Sequence, residues 1–272
     1  MQELEGKVAV VTGAGGGIGQ ATCLEMARHG CRVAAVDVRG DAAEATVRSV
    51  EALGVDATAH VVDVRDGSAL RALADDVVAA HGACHILVNN AGVTSAGSFE
   101  AETDDDLRWI FDINVWGVVN GCRAFLPHLR RVDEGHIVNL SSMVGLLGLP
   151  HNASYSLTKG AVRAFSESLR AELVTSGIGV TVVFPGSINT GITASARGSE
   201  AGRLAEMGSS RLVPLVMRPP SSVARAIVRG IQRDRARVVV GPDAHLVSGF
   251  SRLVPGRSGL VGRLTNRLVH GS

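Results

Sequence analysis

The sequence lacks an excess of charge of either sign. It carries 27 lysine and arginine residues against 26 aspartate and glutamate residues, which gives a formal net charge of +1. Proteins that bind nucleic acid need a clear basic excess or a basic stripe on one face. The balance of charge therefore excludes DNA and RNA as partners.

The sequence also has few cysteines and no metal-binding pattern. None of the cysteines forms a CxxC pair, so neither a disulfide framework nor a zinc site is indicated, and we expect buried free thiols. The acidic run at 104–106 follows Thr103 and is interpreted as the first turn of a helix, where the helix dipole favours acidic residues, and not as a metal site. The four cysteines are Cys23, Cys31, Cys84 and Cys122.

Long apolar runs are absent. No stretch reaches the roughly 18 residues that a membrane-spanning helix needs. The first ten residues, MQELEGKVAV, place acidic residues before the first apolar run and lack the basic and apolar regions of a signal peptide. We therefore expect a cytoplasmic protein in a reducing compartment, with no firm signal for a membrane.

Short apolar runs rich in β-branched residues recur along the chain, separated by segments with helical spacing such as 42–53, 68–81 and 153–176. This alternation predicts an α/β protein with a Rossmann-like, doubly wound fold: a seven-stranded parallel sheet with helices on both faces. Since no linker divides the chain before about Pro185, we expect residues 1–272 to form one domain. The predicted strands are Val8–Val11, Arg32–Val38, Ala59–Val64, His85–Val88, His136–Leu140, Val180–Phe184 and Arg237–Val240.

Two segments near the C-terminus depart from this pattern. Residues 187–221 are rich in glycine and serine and longer than an ordinary connection, so we expect them to cover the substrate. In the tail, about 242–272, leucines at 253, 260, 264 and 268 are spaced to line one side of a helix, with arginines at 257, 263 and 267 elsewhere. Docking on the protein's own surface or a neighbouring subunit is favoured, and contact with a membrane surface or binding of another partner stays open.

A glycine-rich turn follows the first predicted strand and opens a helix. Glycines there let the backbone approach a pyrophosphate, which binds at the helix N-terminus. Further polar and small residues stand at the ends of strands three and four, where such a fold keeps its ligand crevice. Candidate cofactor-binding residues in these stretches are Gly13, Gly15, Gly16, Gly17, Ile18, Gly19, Asp37, Val38, Asp63, Val64, Asn90, Ala91 and Gly92.

The acidic residue Asp37 ends the second predicted strand, 18 residues after Gly19. Its carboxylate is suited to accept hydrogen bonds from the hydroxyls of the adenosine ribose, whereas a 2′-phosphate would meet a like charge. The sequence therefore favours NAD over NADP. Arg39 keeps NADP open as a less favoured cofactor, because a basic residue nearby is able to hold a phosphate.

Tyr155, the only tyrosine in the chain, lies four residues before Lys159 in a predicted helix, so both side chains lie on one face. A phenol has an ordinary pKa of about 10. An adjacent ammonium is expected to lower the pKa of Tyr155, which would fit the phenol for proton transfer near neutral pH.

Together these motifs make the sequence resemble the short-chain dehydrogenase/reductase family from about Gly6 to Thr190. In chain order the resemblance rests on the glycine turn at 12–19, NNAG at 89–92, Asn114, Ser142, YxxxK at 155–159, and Pro185-Gly186 with Thr190. Several separate motifs in the right order and spacing make this a specific signal.

The resemblance implies roles for individual residues. Tyr155 would donate or accept the proton, Lys159 would bind the nicotinamide ribose and tune Tyr155, Ser142 would hydrogen-bond the substrate oxygen, and Asn114 would hold a water in the proton relay. Ser141 is the rival of Ser142, and Asn114 has the alternative role of a buried structural amide. Cofactor contacts are also implied for Pro185, Gly186, Ile188 and Thr190. Relatives of this kind are commonly tetramers built from the helices that contain Asn114 and Tyr155, so we expect a homotetramer or homodimer.

The stretch 143–150, MVGLLGLP, is almost wholly apolar and lies between Ser142 and Tyr155. It favours a hydrophobic secondary alcohol or ketone as substrate, although Arg211 and Arg218 keep an acidic substrate open. We therefore expect an oxidoreductase that transfers a hydride between NAD(H) and such a substrate. Alternatives are an NADP-linked ketone reductase, an epimerase or dehydratase, and a non-enzymatic nucleotide sensor.

Overall fold

The computed structural model describes residues 1–202, 206, 217–253 and 259. Its centre is one seven-stranded sheet in which every neighbouring pair of strands is parallel. The strand order is β3-β2-β1-β4-β5-β6-β7, so the direction of winding reverses between β1 and β4. The strands are β1 Val8–Thr12, β2 Arg32–Asp37, β3 Ala57–Val61, β4 Ile86–Asn89, β5 Gly135–Leu140, β6 Ile178–Pro185 and β7 Arg237–Val240.

Helices cover both faces of this sheet. α1, α2 and α7 share one hydrophobic cluster with the sheet, and α3, α5 and α6 share the other. A π-helical turn, Asp112–Trp116, joins α4 to α5. The helices are α1 Gly17–Arg28, α2 Gly40–Glu51, α3 Gly67–His81, α4 Asp104–Phe111, α5 Gly117–Leu129, α6 Ala153–Glu172, α7 Pro220–Gln232 and α8 Pro242–Leu253.

The buried strand β1 shows why an apolar run becomes a central strand. Its side chains alternate between the two faces, with Ala9 and Val11 in one hydrophobic cluster and Val8 and Val10 in the other. All four are fully buried, because a parallel strand with helices on both sides has no face toward water. The fold predicted from the sequence is therefore confirmed.

The largest error in the predicted strands concerns β3. We expected it at 59–64, but it ends at Val61, so Asp63 and Val64 lie in the loop that follows. β3 is an edge strand with half-exposed residues, including Thr58 and His60, and an apolar pattern locates such a strand poorly. The second strand likewise ends at Asp37, one residue before the predicted Val38.

Helix ends also differ from the predictions. The helix expected to run to Ser176 ends at Glu172, and the chain then turns through Gly177, whose φ of +73° favours glycine. The acidic run behaves as predicted, because the Thr103 hydroxyl accepts a hydrogen bond from the Asp106 N–H in the first turn of α4. All four cysteines are buried and free, as expected.

Only parts of the two C-terminal segments are described. From the expected covering segment, residues 187–202, 206 and 217–221 are described, whereas Arg211 and the apolar residues 212–216 lie outside the described residues. Leu253 ends α8, and the other leucines and arginines expected to line a tail helix lie outside as well. No helix among the described residues is long and apolar enough to cross a membrane.

A buried histidine joins two central strands. His136 on β5 is 1% exposed, and its Nε2 lies 2.8 Å from the hydroxyl of Thr181 on β6. That hydroxyl donates to the Arg235 carbonyl, so Nε2 is the donor to Thr181. Burial lowers the pKa of His136 to about 4, with Asp234 opposing the shift and Arg170 and the N-terminal ammonium adding to it.

This shift predicts a loss of stability in mild acid. Between pH 6.5 and about 4 the unfolded chain binds a proton at His136 that the folded chain does not, so stability falls as the pH falls. We expect the free energy of unfolding to drop by about 3 kcal/mol from this group. Urea denaturation at several pH values from 7 to 4 measures the free energy of unfolding. In His136→Gln this free energy should fall less steeply with falling pH than in the wild type. His60, His81 and His85, whose pKa values burial also lowers, contribute to the pH dependence that remains in the variant. An unchanged slope in His136→Gln would contradict this assignment.

Candidate active site

A cavity of about 720 Å³ opens at the carboxyl ends of the strands, beside the reversal between β1 and β4. Open α/β sheets bind their ligands at this position. Gly15, Gly19 and Asn114 were also predicted as site residues but do not line the cavity. The predicted residues that do are Gly13, Gly16, Gly17, Ile18, Asp37, Val38, Asp63, Val64, Asn90, Ala91, Gly92, Ser142, Tyr155, Lys159, Pro185, Gly186, Ile188 and Thr190.

The glycine turn between β1 and α1 is built by close backbone contacts. Gly13 and Gly17 have φ values of +64° and +54°, which favour glycine. A Cβ atom at Gly19 would lie 2.0 Å from the Gly13 carbonyl oxygen. Gly19 therefore acts behind the cavity wall, where it lets α1 begin directly under the turn. The result is a cradle at a helix N-terminus, which fits the pyrophosphate of a dinucleotide.

Asp37 at the end of β2 fixes the position of this turn. Its Oδ2 accepts a hydrogen bond of 2.8 Å from the Gly15 N–H, and a Cβ at Gly15 would lie 2.8 Å from the same oxygen. Its Oδ1 accepts one of 3.0 Å from the Arg39 N–H. Asp37 is 8% exposed and lines the cavity, so it is placed to meet a ribose as well as to hold the turn.

Arg39 reaches the same corner of the cavity. The loop after β2 brings the Arg39 Nε to 3.6 Å from Asp37 Oδ1, and the side chain lines the cavity while staying 64% exposed. Arg39 is therefore an exposed ion-pair partner of Asp37.

Asn90 ties the ends of β1 and β4 together. Its side-chain amide donates to the carbonyl oxygens of Thr12 and Gly13, at 2.9 and 3.1 Å. In return, the Thr12 hydroxyl accepts from the N–H groups of Asn90 and Ala91, each at 3.1 Å. These bonds hold the NNAG segment against the glycine turn, on the floor of the crevice.

Tyr155 and Ser142 meet at the cavity wall. Tyr155 lies in the first turn of α6, and Ser142 follows β5. Burial raises the pKa of Tyr155 to about 12, and a hydrogen bond with Ser142 opposes this shift. The neighbouring Ser141 hydroxyl instead donates to the Lys159 carbonyl oxygen at 2.7 Å. Of the two serines, Ser142 is therefore the one whose hydroxyl lies beside the phenol.

Lys159 is 4% exposed and donates from Nζ to the Leu140 carbonyl oxygen at 3.0 Å. Its Nζ lies 5.8 Å from the centre of the Tyr155 ring. Burial lowers the pKa of Lys159 to about 8. The shift is opposite to the expected one: burial raises the pKa of Tyr155, and the group that opposes the rise is Ser142 rather than Lys159.

Asn114 lies in the π-helical turn before α5 and is fully buried. Its Oδ1 accepts from the Val93 N–H at 2.8 Å, and its Nδ2 donates to the Val93 carbonyl and the Thr158 hydroxyl, at 2.9 and 3.1 Å. The side chain thus connects the loop after β4 to the helix that carries Tyr155. This matches the alternative role of a buried structural amide, and the water-holding role stays a prediction.

Several cavity residues were not identified from the sequence. The guanidinium of Arg197 lies over the ring of Trp109 on α4, 4.2 Å from the ring centre. Arg197 also forms an ion pair with Asp106. Contacts between 94–97 and 197–200 then fasten the start of the covering segment over the cavity. No local sequence signal marks these residues, which converge from distant parts of the chain. The additional lining residues include Arg65, Trp109, Ile113, Ile192, Ala194 and Ser195.

Asp243 in the first turn of α8 was also missed. Its Oδ2 accepts a hydrogen bond of 2.6 Å from the Ser187 N–H, directly after Pro185-Gly186. A Cβ at Gly186 would lie 2.1 Å from the Asp243 carboxylate. Although burial opposes it, the N–H groups around the carboxylate hold the pKa of Asp243 below its usual value. Asp243 is therefore a positioning residue for the turn that lines the crevice.

Comparison with known proteins defines the family. The model of the short chain dehydrogenase family matches residues 7–201. The chain is 40% identical over 259 residues to SadH of Mycobacterium tuberculosis, which is classed as an oxidoreductase, with 93% of each chain covered. It is 34% identical over 259 residues to a C alpha-dehydrogenase of Sphingobium sp., covering 89% of this chain and 83% of that one.

A solved structure supports the same family assignment. A short-chain dehydrogenase/reductase from Burkholderia phymatum in complex with NAD superposes with a TM-score of 0.86 at 30% identity, covering 96% of this chain and 97% of that one. The chain belongs to the short-chain dehydrogenase/reductase family and is an oxidoreductase of that family.

The contact between Gly145 and α6 gives a test of this geometry. A Cβ at Gly145 would lie 2.6 Å from the Ser141 hydroxyl and 2.7 Å from the Lys159 carbonyl oxygen. We expect Gly145→Ala to lower the free energy of unfolding by about 1–3 kcal/mol, because it overpacks this contact. Thermal unfolding followed by circular dichroism measures the change.

Gly160 supplies the matched control, since it lies within α6 and nothing comes within 4 Å of a Cβ placed there. Gly160→Ala should leave stability unchanged or raise it by up to about 1 kcal/mol through helix propensity. Equal effects of the two substitutions would argue against the close packing at Gly145.

Proposed function

We propose that the protein transfers a hydride reversibly between NAD(H) and a hydrophobic secondary alcohol or ketone. The observation that carries the proposal is the meeting of Tyr155, Ser142 and Lys159 on one wall of a cavity whose opposite end is the glycine turn with Asp37. The relative named a C alpha-dehydrogenase supports a dehydrogenase reaction, and the structural neighbour with NAD supports the cofactor.

The residues present fit such a cofactor. The cradle at Gly13–Gly19 excludes side chains where a pyrophosphate would approach, Asp37 would meet the adenosine ribose, and Lys159 would meet the nicotinamide ribose. Ile188 and Thr190 line the cavity where contacts to the carboxamide are expected. When bound, the nicotinamide supplies the hydride acceptor or donor.

Tyr155 is the residue that transfers the proton in the proposed reaction. During oxidation the phenolic oxygen would take the proton of the substrate hydroxyl, and during reduction it would return one, while Ser142 hydrogen-bonds the same substrate oxygen. With a pKa of about 12 the phenol is almost wholly protonated at neutral pH in this geometry. A Lys159 ammonium closer to the phenolic oxygen would lower that pKa and raise the fraction of phenolate.

The cavity walls support a hydrophobic substrate, but not through the residues expected. The apolar stretch at 143–150 is not among the residues that line the cavity. Apolar walls come instead from Trp109 and Ile113 on one side and from Ile192 and Ala194 in the covering segment on the other. An uncharged substrate with an apolar body suits these walls.

Subunit assembly is proposed through the helices around the site. Trp116 in the π-helical turn is 47% exposed and Leu157 on α6 is 54% exposed. Large apolar side chains on these elements support pairing with a second copy, as a homodimer or homotetramer. The cytoplasmic location stays a prediction from the sequence.

Replacing Tyr155 with phenylalanine removes the hydroxyl that moves the proton and keeps the ring. We expect kcat for a secondary alcohol with NAD to fall by about 100-fold to 10,000-fold, while NADH binding, followed by fluorescence titration, stays within about twofold. Undiminished turnover in Tyr155→Phe would refute the assignment. A nucleotide sensor would bind NADH with no turnover in the wild type, and an epimerase or dehydratase would convert substrate with no net NADH formation.

Cofactor choice tests the role of Asp37. In Asp37→Ser the carboxylate that repels a 2′-phosphate is lost while Arg39 remains. We expect the ratio of kcat/KM with NADP to that with NAD to rise at least about tenfold, since one like-charge contact is worth a few kcal/mol. Adding Arg39→Gln should reverse part of the gain, whereas Arg48→Gln, an exposed arginine on α2, should not. A wild-type preference for NADP would overturn the choice of NAD.

A further inference from the structure

A second cavity, of about 530 Å³, lies outside the crevice, between α7, the end of β7 and the start of α8. Three arginines and a histidine line it, and no acidic residue does. It shares no lining residue with the larger cavity. Its lining residues are Arg218, Ser222, Arg225, Ala226, Arg229, Val239, Val240, Gly241, Pro242 and His245.

The surrounding segment concentrates positive charge. Residues 217–253 contain seven arginines, two aspartates and neither lysine nor glutamate, a formal charge of +5 in a chain whose net charge is +1. Both aspartates are committed elsewhere, Asp234 to the guanidinium of Arg170 and Asp243 to the Ser187 N–H. The local excess is therefore not neutralised from within the segment.

The cavity arginines themselves have no acidic partner within the described part of the chain. Arg225 and Arg229 are exposed and stand four residues apart on α7, where like charges repel. Arg218 and His245 complete the ring from two other elements. Several cations facing one hollow raise its affinity for an anion with more than one charge.

We propose that this cavity binds a phosphate-bearing ligand, with the phosphate oxygens held by Arg218, Arg225 and Arg229. A guanidinium presents two parallel N–H donors that match phosphate oxygens. Three guanidinium groups suit a group with two or more negative charges, such as a diphosphate. The cavity volume exceeds what a single inorganic anion fills, which leaves room for the molecule that carries the phosphate.

Main-chain hydrogen bonds link this cavity to the active site. The Arg218 N–H donates to the Ser187 carbonyl at 3.0 Å, and the Asn189 N–H donates to the Arg218 carbonyl at 2.9 Å. Between them Ile188 lines the larger cavity. The phosphate therefore belongs either to the far end of a substrate or to a separate effector that acts through the segment 187–189, which forms an isolated bridge with Arg218.

Isothermal titration with pyrophosphate at low ionic strength tests the proposal. We expect saturable binding by the full chain, and a dissociation constant at least about tenfold higher in the double variant Arg225→Gln/Arg229→Gln. The matched control, Arg233→Gln/Arg235→Gln, removes the same charge from exposed positions in the same segment that do not line the cavity. It should bind within about twofold of the wild type.

Three results would overturn the proposal. Equal loss in both double variants would show attraction to net charge alone, and equal binding by all three proteins would place pyrophosphate at the glycine turn. A changed oligomeric state of Arg225→Gln/Arg229→Gln in size-exclusion chromatography, with pyrophosphate binding retained, would assign the arginines to contact with a second copy and also refute the site. None of these readouts uses turnover, so they stand apart from the test of Tyr155.

If the site is confirmed, steady-state kinetics with an uncharged alcohol distinguishes the two sources of phosphate. An effector site predicts that pyrophosphate changes kcat or the KM for NAD in the wild type and not in Arg225→Gln/Arg229→Gln. A substrate-tail site predicts unchanged kinetics for the uncharged alcohol in both proteins.

Discussion

Two hydrogen bonds between the end of β5 and α6 set the geometry of the site. Lys159 donates from Nζ to the Leu140 carbonyl, and the Ser141 hydroxyl donates to the Lys159 carbonyl, at 3.0 and 2.7 Å. Both bonds are buried, where an unsatisfied partner is costly. They fix α6 along its axis, and Tyr155 one turn earlier then lies opposite Ser142. The absence of a side chain at Gly145 allows this approach.

The same packing determines the electrostatics. Burial lowers the pKa of Lys159 to about 8 and raises that of Tyr155 to about 12, so each group is pushed toward its neutral form. The Lys159 ammonium donates a hydrogen bond to the Leu140 carbonyl and lies beside the Tyr155 ring. A small change in the position of Nζ toward the phenolic oxygen would lower the pKa of Tyr155 and favour the phenolate.

The sequence predicted what depends on local patterns. Alternating apolar runs and helical segments were sufficient for the fold, and the glycine turn with Asp37 located the cradle, because backbone conformation there depends on which residues lack a Cβ. Spacing alone could not predict the pKa of Tyr155, since the shift depends on burial by distant residues. Trp109 and Asp243 were missed for the same reason: each meets its partners where separate parts of the chain come together.

Burial dominates the ionisation of Tyr155. Because Tyr155 is the only tyrosine, protein labelled with ¹³Cζ-tyrosine gives one NMR signal whose shift reports the phenol directly. We expect this signal to stay at its neutral position up to about pH 11, above the ordinary pKa of about 10. A midpoint at or below pH 10 would contradict it.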